Sequence, residues 1–186
     1  MRILGLDVST SKTGWCLMDS NGSLEKMGCV DLTSAHDLFE KTEILIKVIS
    51  EETAHLREVY EVVIEEPLLS FARGMSSAST LLTLNRFNGM VTYACWRDLR
   101  IKPRHLNVIF ARRSLGIKKN KGENIKDVVM TWVAGSVVDY VWPTKVISRG
   151  KRKGETVFEP YCYDVADAYV MAKAAHCGRV KSGVSA

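Results

Sequence analysis

Four acidic residues carry the chemistry this sequence could perform. Asp7 lies in MRILGLDVSTSKTGW, Glu65 in YEVVIEEP, and Asp164 and Asp167 in YDVADAYVMAKAA. The first two sit on or at the ends of apolar runs that read as strands. The last two are three residues apart in a helical pattern and so share a face. Acids are seldom set in apolar surroundings without a partner, because an unpaired charge there is costly. A divalent cation is the simplest single partner for all four. In a chain of net charge +5, that combination points to chemistry on a phosphodiester.

Each acid also has a plainer reading. Asp7 alone could cap a turn onto Ser9 and Thr10. Glu65 and Glu66 alternate faces on a strand, so at most one of them is expected in a common site. Paired acids on a helix are often only solvated, but Ala166, Ala168, Val170, Met171 and Ala174 make this helix largely apolar. The combination of four is harder to attribute to chance than any one acid.

Composition narrows the class. The 186 residues suit one domain with a real core, and 46% hydrophobic with 25% charged residues is ordinary for a globular protein. The five cysteines, Cys16, Cys29, Cys95, Cys162 and Cys177, are odd in number and form no CxxC pair. That argues against a disulfide framework or a zinc site and for a reducing compartment, the cytoplasm. His36, His55, His105 and His176 are scattered and read as surface or packing residues. The stretch Ile3 to Leu6 is too short for a signal peptide. The run VVMTWVAGSVVDYVW is too short and too polar to span a bilayer and reads as a buried helix.

The elements that must position the acids follow from periodicity. Residues 2–8 read as a buried strand, and 14–19 and 24–31 flank Ser20-Asn21-Gly22-Ser23, a hairpin signal. The period then changes. Ser34 with Asp37 resembles a capping box, and Leu38, Leu45, Val48, Ile49 and Leu56 form a helical stripe to about Arg57. A strand is expected over 59–65, ended by Pro67, then a small-residue loop over 68–79 and a helix over about 80–98. Further on come a short strand at 99–102, a basic helical segment at 106–115, a basic loop at 118–122, a helix at 123–141, and a charged loop or small hairpin at 143–160. The last helix is expected over about 161–177. These elements describe a single α/β domain, residues 1–178, with a mixed five-stranded sheet flanked by helices and a flexible tail at 179–186. If strands one and four are parallel neighbours, the helix between them is the crossover. Asp7 and Glu65 then meet at the carboxyl edge of the sheet, where open α/β sheets place ligands. The final helix could bring Asp164 and Asp167 to the same edge, gathering hard oxygen ligands for Mg²⁺ or Mn²⁺.

GLDVSTSKTGW at the first strand, VVIEEP at the fourth, LGIKKNKGENIKDVV before a helix and DVADAYVMA at the end together resemble the RuvC family of Holliday-junction resolvases, within the RNase H-like fold. The resemblance runs from residue 1 to about 177. It implies an RNase H-like domain and a dimeric endonuclease that nicks four-way DNA junctions with two Mg²⁺ or Mn²⁺ ions per site. Matched by motif, Asp7, Glu65, Asp164 and Asp167 are the expected metal ligands and catalytic acids. A lysine of the 118–121 loop is expected beside the scissile phosphate, with Lys121 favoured over Lys118 and Lys119. The chain departs from the family in the loop after Glu65, where Phe71 is the candidate for an aromatic contact with the junction centre, and in the 143–160 segment, which resembles an insertion. The compact form resembles phage or other viral members more than bacterial housekeeping ones.

Positive charge clusters in Arg97, Arg100, Lys102, Arg104, Arg112, Arg113, Lys118, Lys119 and Lys121, and again in Lys145, Arg149, Lys151, Arg152 and Lys153. Such clusters suit phosphate contacts or a solvated surface equally. Lys118, Lys119, Lys121, Arg112, Arg113, Phe71 and Arg73 are the expected DNA contacts. Trp96 and Trp132 are expected in the core. A homodimer is expected because a four-way junction offers two equivalent strands, and the apolar residues of the 80–96 helix would serve either an interface or the core. Three alternatives compete: an ATP-binding domain of the actin or sugar-kinase type, a non-catalytic module for branched DNA, and an RNase H-like nuclease acting on flaps or RNA–DNA hybrids.

Overall fold

The structure is a computed structural model, and it describes residues 1–54, 61–67 and 78–182. Strand β1 (Ile3–Asp7) pairs antiparallel with β2 (Lys12–Met18), which pairs antiparallel with β3 (Leu24–Asp31). The β2–β3 turn is closed by the Asp19 carboxylate, which accepts from the backbone N–H of Asn21 and of Ser23. Helix α1 (Leu38–Thr53) then crosses over, so that β4 (Glu61–Glu65) lies parallel to β1. Helix α2 (Ala78–Asp98) leads to β5 (Arg104–Leu106), parallel to β4. The mixed sheet has the order β3-β2-β1-β4-β5, the five-stranded arrangement expected from the sequence. Helices α3 (Val108–Ser114) and α4 (Ile125–Ser136), a separate hairpin of β6 (Thr144–Val146) and β7 (Thr156–Phe158), and the long α5 (Cys162–Ser182) complete the chain.

Strand alternation divides the interior into two cores. Leu4, Leu6, Trp15, Leu17, Val62 and Ile64 face α1 and α2, where they meet Leu45, Ile49, Phe87 and Val91. Ile3, Cys16, Met18 and Val63 face the other way, onto α5, α3 and α4. Asp7 continues the parity of Ile3 and Gly5, and Glu65 that of Val63. Both acids therefore belong to the face covered by α5.

Helix α5 comes unusually close to that face. A Cβ on Gly5 would overlap the Ala168 carbonyl, and one on Gly14 would overlap the Asp164 carbonyl and lie 2.6 Å from the Val165 nitrogen. Gly14 is itself the ladder partner of Asp7. The absence of side chains at two positions thus lets the helix carrying Asp164 and Asp167 lie directly on the strands carrying Asp7.

Several sequence expectations shift. The α1 cap is Asp37, not Ser34: its carboxylate accepts from the Glu40 N–H, and the Glu40 carboxylate accepts from the His36 N–H, one residue before the cap, an arrangement akin to a capping box. The fifth strand follows Pro103 instead of preceding it. Arg100, at φ 59°, reverses the chain after α2, and the Ile101 N–H is spent on the Cys95 carbonyl. Helix α4 stops at Ser136 and α5 runs on to Ser182, past the helix end expected near 177. Trp96 is 54% exposed, whereas Trp132 packs beside the core against Tyr169. All five cysteines are free, and among the described residues no helix is long and apolar enough to cross a membrane.

Substituting Gly14→Ala should push the first turn of α5 off the sheet and cost about 1–3 kcal/mol, as overpacking does. Gly135→Ala, in the last turn of α4 where a Cβ would meet nothing within 4 Å, should be neutral or stabilising. Thermal unfolding of both variants checks this, and equal melting temperatures would refute it.

Candidate active site

The β1–β4 ladder ends with Leu6 opposite Ile64, so Asp7 and Glu65 are the next residue of each strand. Asp164 and Asp167 come from the first two turns of α5, above Gly14. All four line one cleft of about 340 Å³, together with Ser9, Glu66, Leu81, Asn85, Asn88, Arg112 and Lys126. The convergence read from the sequence is therefore present.

The turn after Asp7 does not use its carboxylate. The Ser9 N–H donates instead to the Thr13 hydroxyl at 3.3 Å, which donates in turn to the Ser9 carbonyl at 3.0 Å, so Asp7 does not cap the turn at Ser9. Strand alternation does not separate Glu65 from Glu66 either. The strand ends at Glu65, and both glutamates border the cleft. Glu66 is the exposed one, and its carboxylate accepts from Asn107 Nδ2 at 3.3 Å.

The electrostatics of the cleft are unbalanced. Burial, then the charges of Glu65, Asp167 and Asp164, raise the Asp7 carboxyl well above its usual range, with Lys126 opposing. Burial and Asp167 raise Glu65, while Arg112, a hydrogen bond shared with Asp7, and Lys126 pull it back. Burial lifts Asp164 to about 6. Two cations face the four predicted acids and Glu66. Arg112 Nη2 donates to Asp167 Oδ1 at 2.8 Å, and the buried Arg112 Nε has no acceptor among the described residues. Lys126, in the first turn of α4, is the other. Asp167, paired with Arg112, still acts on Glu65 and Asp7, and among the described residues no three His, Cys, Asp or Glu side chains are grouped closely enough to hold a metal ion as they stand. Clustered carboxylate oxygens carrying more negative charge than the neighbouring cations neutralise are nonetheless the donor type that a hard divalent cation takes.

Neighbouring groups fix this arrangement. Buried Asn88 donates from Nδ2 to the Glu65 carbonyl at 3.1 Å, and its Oδ1 lies 3.1 Å from His105 Nε2. The end of β4 is thereby held to α2 and β5. Tyr163 Oη donates to Asp127 at 3.0 Å, linking the start of α5 to the start of α4 and so Asp164 to the helix bearing Lys126.

The expected basic residues distribute differently. Lys121 is exposed in a turn where Glu123 accepts from the Asn120 N–H, and it does not line the cleft. Lys118 borders a separate recess with Asp127 and Trp132. Lys119 and Arg113 are exposed and stand outside the cleft. Phe71 and Arg73 lie outside the described residues. Lys126 and Asn88 went unread in the sequence, though each had a signal. Lys126 shares the spacing of buried Met130 and Val133, and Asn88 follows buried Phe87 in an apolar helix.

No protein-family model and no curated protein matches the chain. Solved structures do. RuvC of Thermus thermophilus in complex with Holliday junction substrate is similar over 97% of this chain and 96% of its own, at 16% identity and TM-score 0.64. A second Thermus thermophilus RuvC structure matches over 97% of each chain at 18% identity and TM-score 0.60. The yeast mitochondrial Holliday junction resolvase Ydc2 matches over 96% of this chain and 79% of its own, at 14% identity and TM-score 0.62.

The raised carboxyls set a pH dependence. With Asp164 at about 6 in the folded state against 3.8 unfolded, the folded protein holds the extra proton between those values. Its contribution to stability is therefore present at pH 4 and lost as pH rises through 6. In a chelator, Asp164→Asn should gain on the wild type across that window and be more stable at pH 7 by roughly 0.5–2 kcal/mol. Adding Mg²⁺ should raise the wild-type melting temperature more than that of the variant. A pH-independent difference, or an equal response to Mg²⁺, would contradict the description of the cleft. Similar in fold to these structures over nearly its whole length, the protein has the RNase H-like fold of the RuvC resolvases.

Proposed function

We propose that the protein is a divalent-metal-dependent endonuclease that cuts branched DNA, with the four-way junction as its substrate. The observation that supports this most is the meeting of Asp7, Glu65, Asp164 and Asp167 with Arg112 and Lys126 in one cleft of a RuvC-like fold. One of the similar proteins was solved with Holliday junction substrate.

In this reading the four acids hold two Mg²⁺ or Mn²⁺ ions, which supply water activation and charge neutralisation at the scissile phosphate. The chain's own cations do the rest. Lys126 projects from the first turn of α4, where the helix N-terminus also favours an anion, and it stabilises charge on the phosphate oxygens. Arg112 orients Asp167 through its Nη2. Asn88 keeps Glu65 at its place. Recognition rests on backbone and shape, since no base-reading motif is evident in the sequence.

A homodimer would give the junction two cuts. Helix α2 supports it. Leu82, Arg86, Gly89, Tyr93 and Trp96 repeat at intervals of four and three along one face. Leu82, Tyr93 and Trp96 are more than half exposed, and a Cβ at Gly89 would meet nothing within 4 Å among the described residues. A glycine inside a helix costs about 1 kcal/mol relative to alanine, and close approach of a second helix is a reason to keep one.

Asp7→Asn should abolish cleavage of a labelled junction in Mg²⁺, a loss beyond the roughly 10²–10³-fold of a single electrostatic donor, while leaving junction binding intact. Undiminished cleavage would defeat the assignment. Lys126→Ala should lose about 10²–10³-fold in cleavage rate and Lys121→Ala only a few-fold; the reverse order would restore the lysine favoured from sequence. Tyr93→Glu should convert a dimer to a monomer by sedimentation and uncouple the paired cuts into single nicks, whereas a monomeric wild type would remove the dimer. A panel of four-way, flap and hybrid substrates separates the junction from the other nuclease substrates.

A further inference from the structure

We infer that the β6–β7 hairpin grips the phosphate backbone of a duplex DNA arm outside the cleavage cleft; this rests on the nuclease reading above. The segment 143–160 carries Lys145, Arg149, Lys151, Arg152 and Lys153 against Glu155 and Glu159, a net +3 in a chain whose total is +5. Two of the cations are committed within the hairpin: Arg152 Nε donates to Glu155 Oε2 at 2.6 Å, and Lys145 lies 3.6 Å from Glu159. Arg149, Lys151 and Lys153 are exposed and make no ion pair among the described residues. Three uncompensated cations therefore crowd within five residues at the tip.

The tip is held, not loose. Beyond the paired strands, the Ile147 N–H donates to the Glu155 carbonyl at 2.9 Å and the Gly154 N–H to the Ile147 carbonyl at 2.8 Å. Gly150 and Gly154, at φ 82° and 91°, take the left-handed turns that other residues resist. At the root, the Glu159 N–H donates to the Pro143 carbonyl at 2.9 Å, and Trp142 packs edge-on between Tyr140 and Phe158 at 4.8 and 6.2 Å. Trp142 and Phe158 in turn pack against the core beneath α5. Strand β6 is exposed along its length, Val146 by 63%. An isolated two-stranded ribbon is marginal by itself; this one is anchored by aromatics and presents charge.

Its location selects the partner. Phe158 precedes Asp164 by six residues, so the root of the ribbon lies within about 20 Å of chain of an acid of the cleft. Lys12 links the two, 5.2 Å over the Tyr161 ring and close enough for its charge to act on both Asp164 and Glu159. A ribbon with fixed cations beside a phosphodiester-cutting cleft fits the flanking phosphates of the same nucleic acid, contacts that position the substrate without reading sequence. The strands and tip extend roughly 20 Å from the root at about 3.3 Å per residue, the length of several base pairs.

The test uses the full chain and the triple variant Arg149→Gln, Lys151→Gln, Lys153→Gln, with four-way junctions of short and long arms and binding read in a chelator. On long arms the variant should bind at least ~10-fold more weakly, with a salt dependence of log affinity shallower by roughly 3. On short arms its binding, its cleavage in Mg²⁺ at low salt and its thermal unfolding should match the wild type. Unchanged long-arm affinity and salt slope would overturn the inference, as would an equal loss on short arms, which would place the hairpin at the cleavage point instead. Failure of the wild type to bind any branched DNA would remove the nuclease reading itself.

Discussion

The contact of α5 with the two glycines of the sheet is the constraint on which the site depends. Gly5 and Gly14 leave room for helix backbone where any side chain would stand, and the helix fills that room with Val165, Ala166, Ala168 and Ala172, all buried. Small residues on both sides allow an approach that larger ones would prevent. The consequence is electrostatic. Asp164 is placed over Gly14, Gly14 is paired with Asp7, and the parallel ladder sets Glu65 beside Asp7. Packing energy gathered elsewhere in the two cores is what holds these like charges together.

The cleft thus stores a conflict that the rest of the fold tolerates. Carboxylates that would separate in water are kept partly buried, with Arg112 and Lys126 as insufficient compensation. Positions of this kind lower stability and favour a bound cation, the exchange of stability for function common to active sites. Asn88 and Tyr163 belong to the same logic: each ties an element carrying a charged group to its neighbour, so repulsion is not relieved by movement of a strand end or a helix start.

How much of this was legible in the sequence differs residue by residue. Asp7, Glu65, Asp164 and Asp167 could be read because each interrupts an apolar pattern of definite period, and the crossover rule for parallel strands fixes which ends coincide. Lys126 could not be picked out by motif, since the loop before α4 holds three other lysines; its helical spacing with Met130 and Val133 and the cap at Asn124, which accepts from the Lys126 N–H, are what distinguish it. Trp96 was misjudged because periodicity shows that a helix face is apolar without showing whether the monomer covers it. The fifth strand was misplaced because Pro103 reads as a terminator, although here the strand begins just after it. The side-chain ties of Asn88 and Tyr163 join residues far apart in the chain and left no trace in local pattern.

The central claim is that these acids form one cation site. It is tested most directly by anomalous scattering from a crystal of the protein soaked in Mn²⁺. The account predicts density in contact with Asp7 and bounded by Glu65, Asp164 and Asp167. Mn²⁺ found only at other acids, with Asp7 untouched, would contradict it.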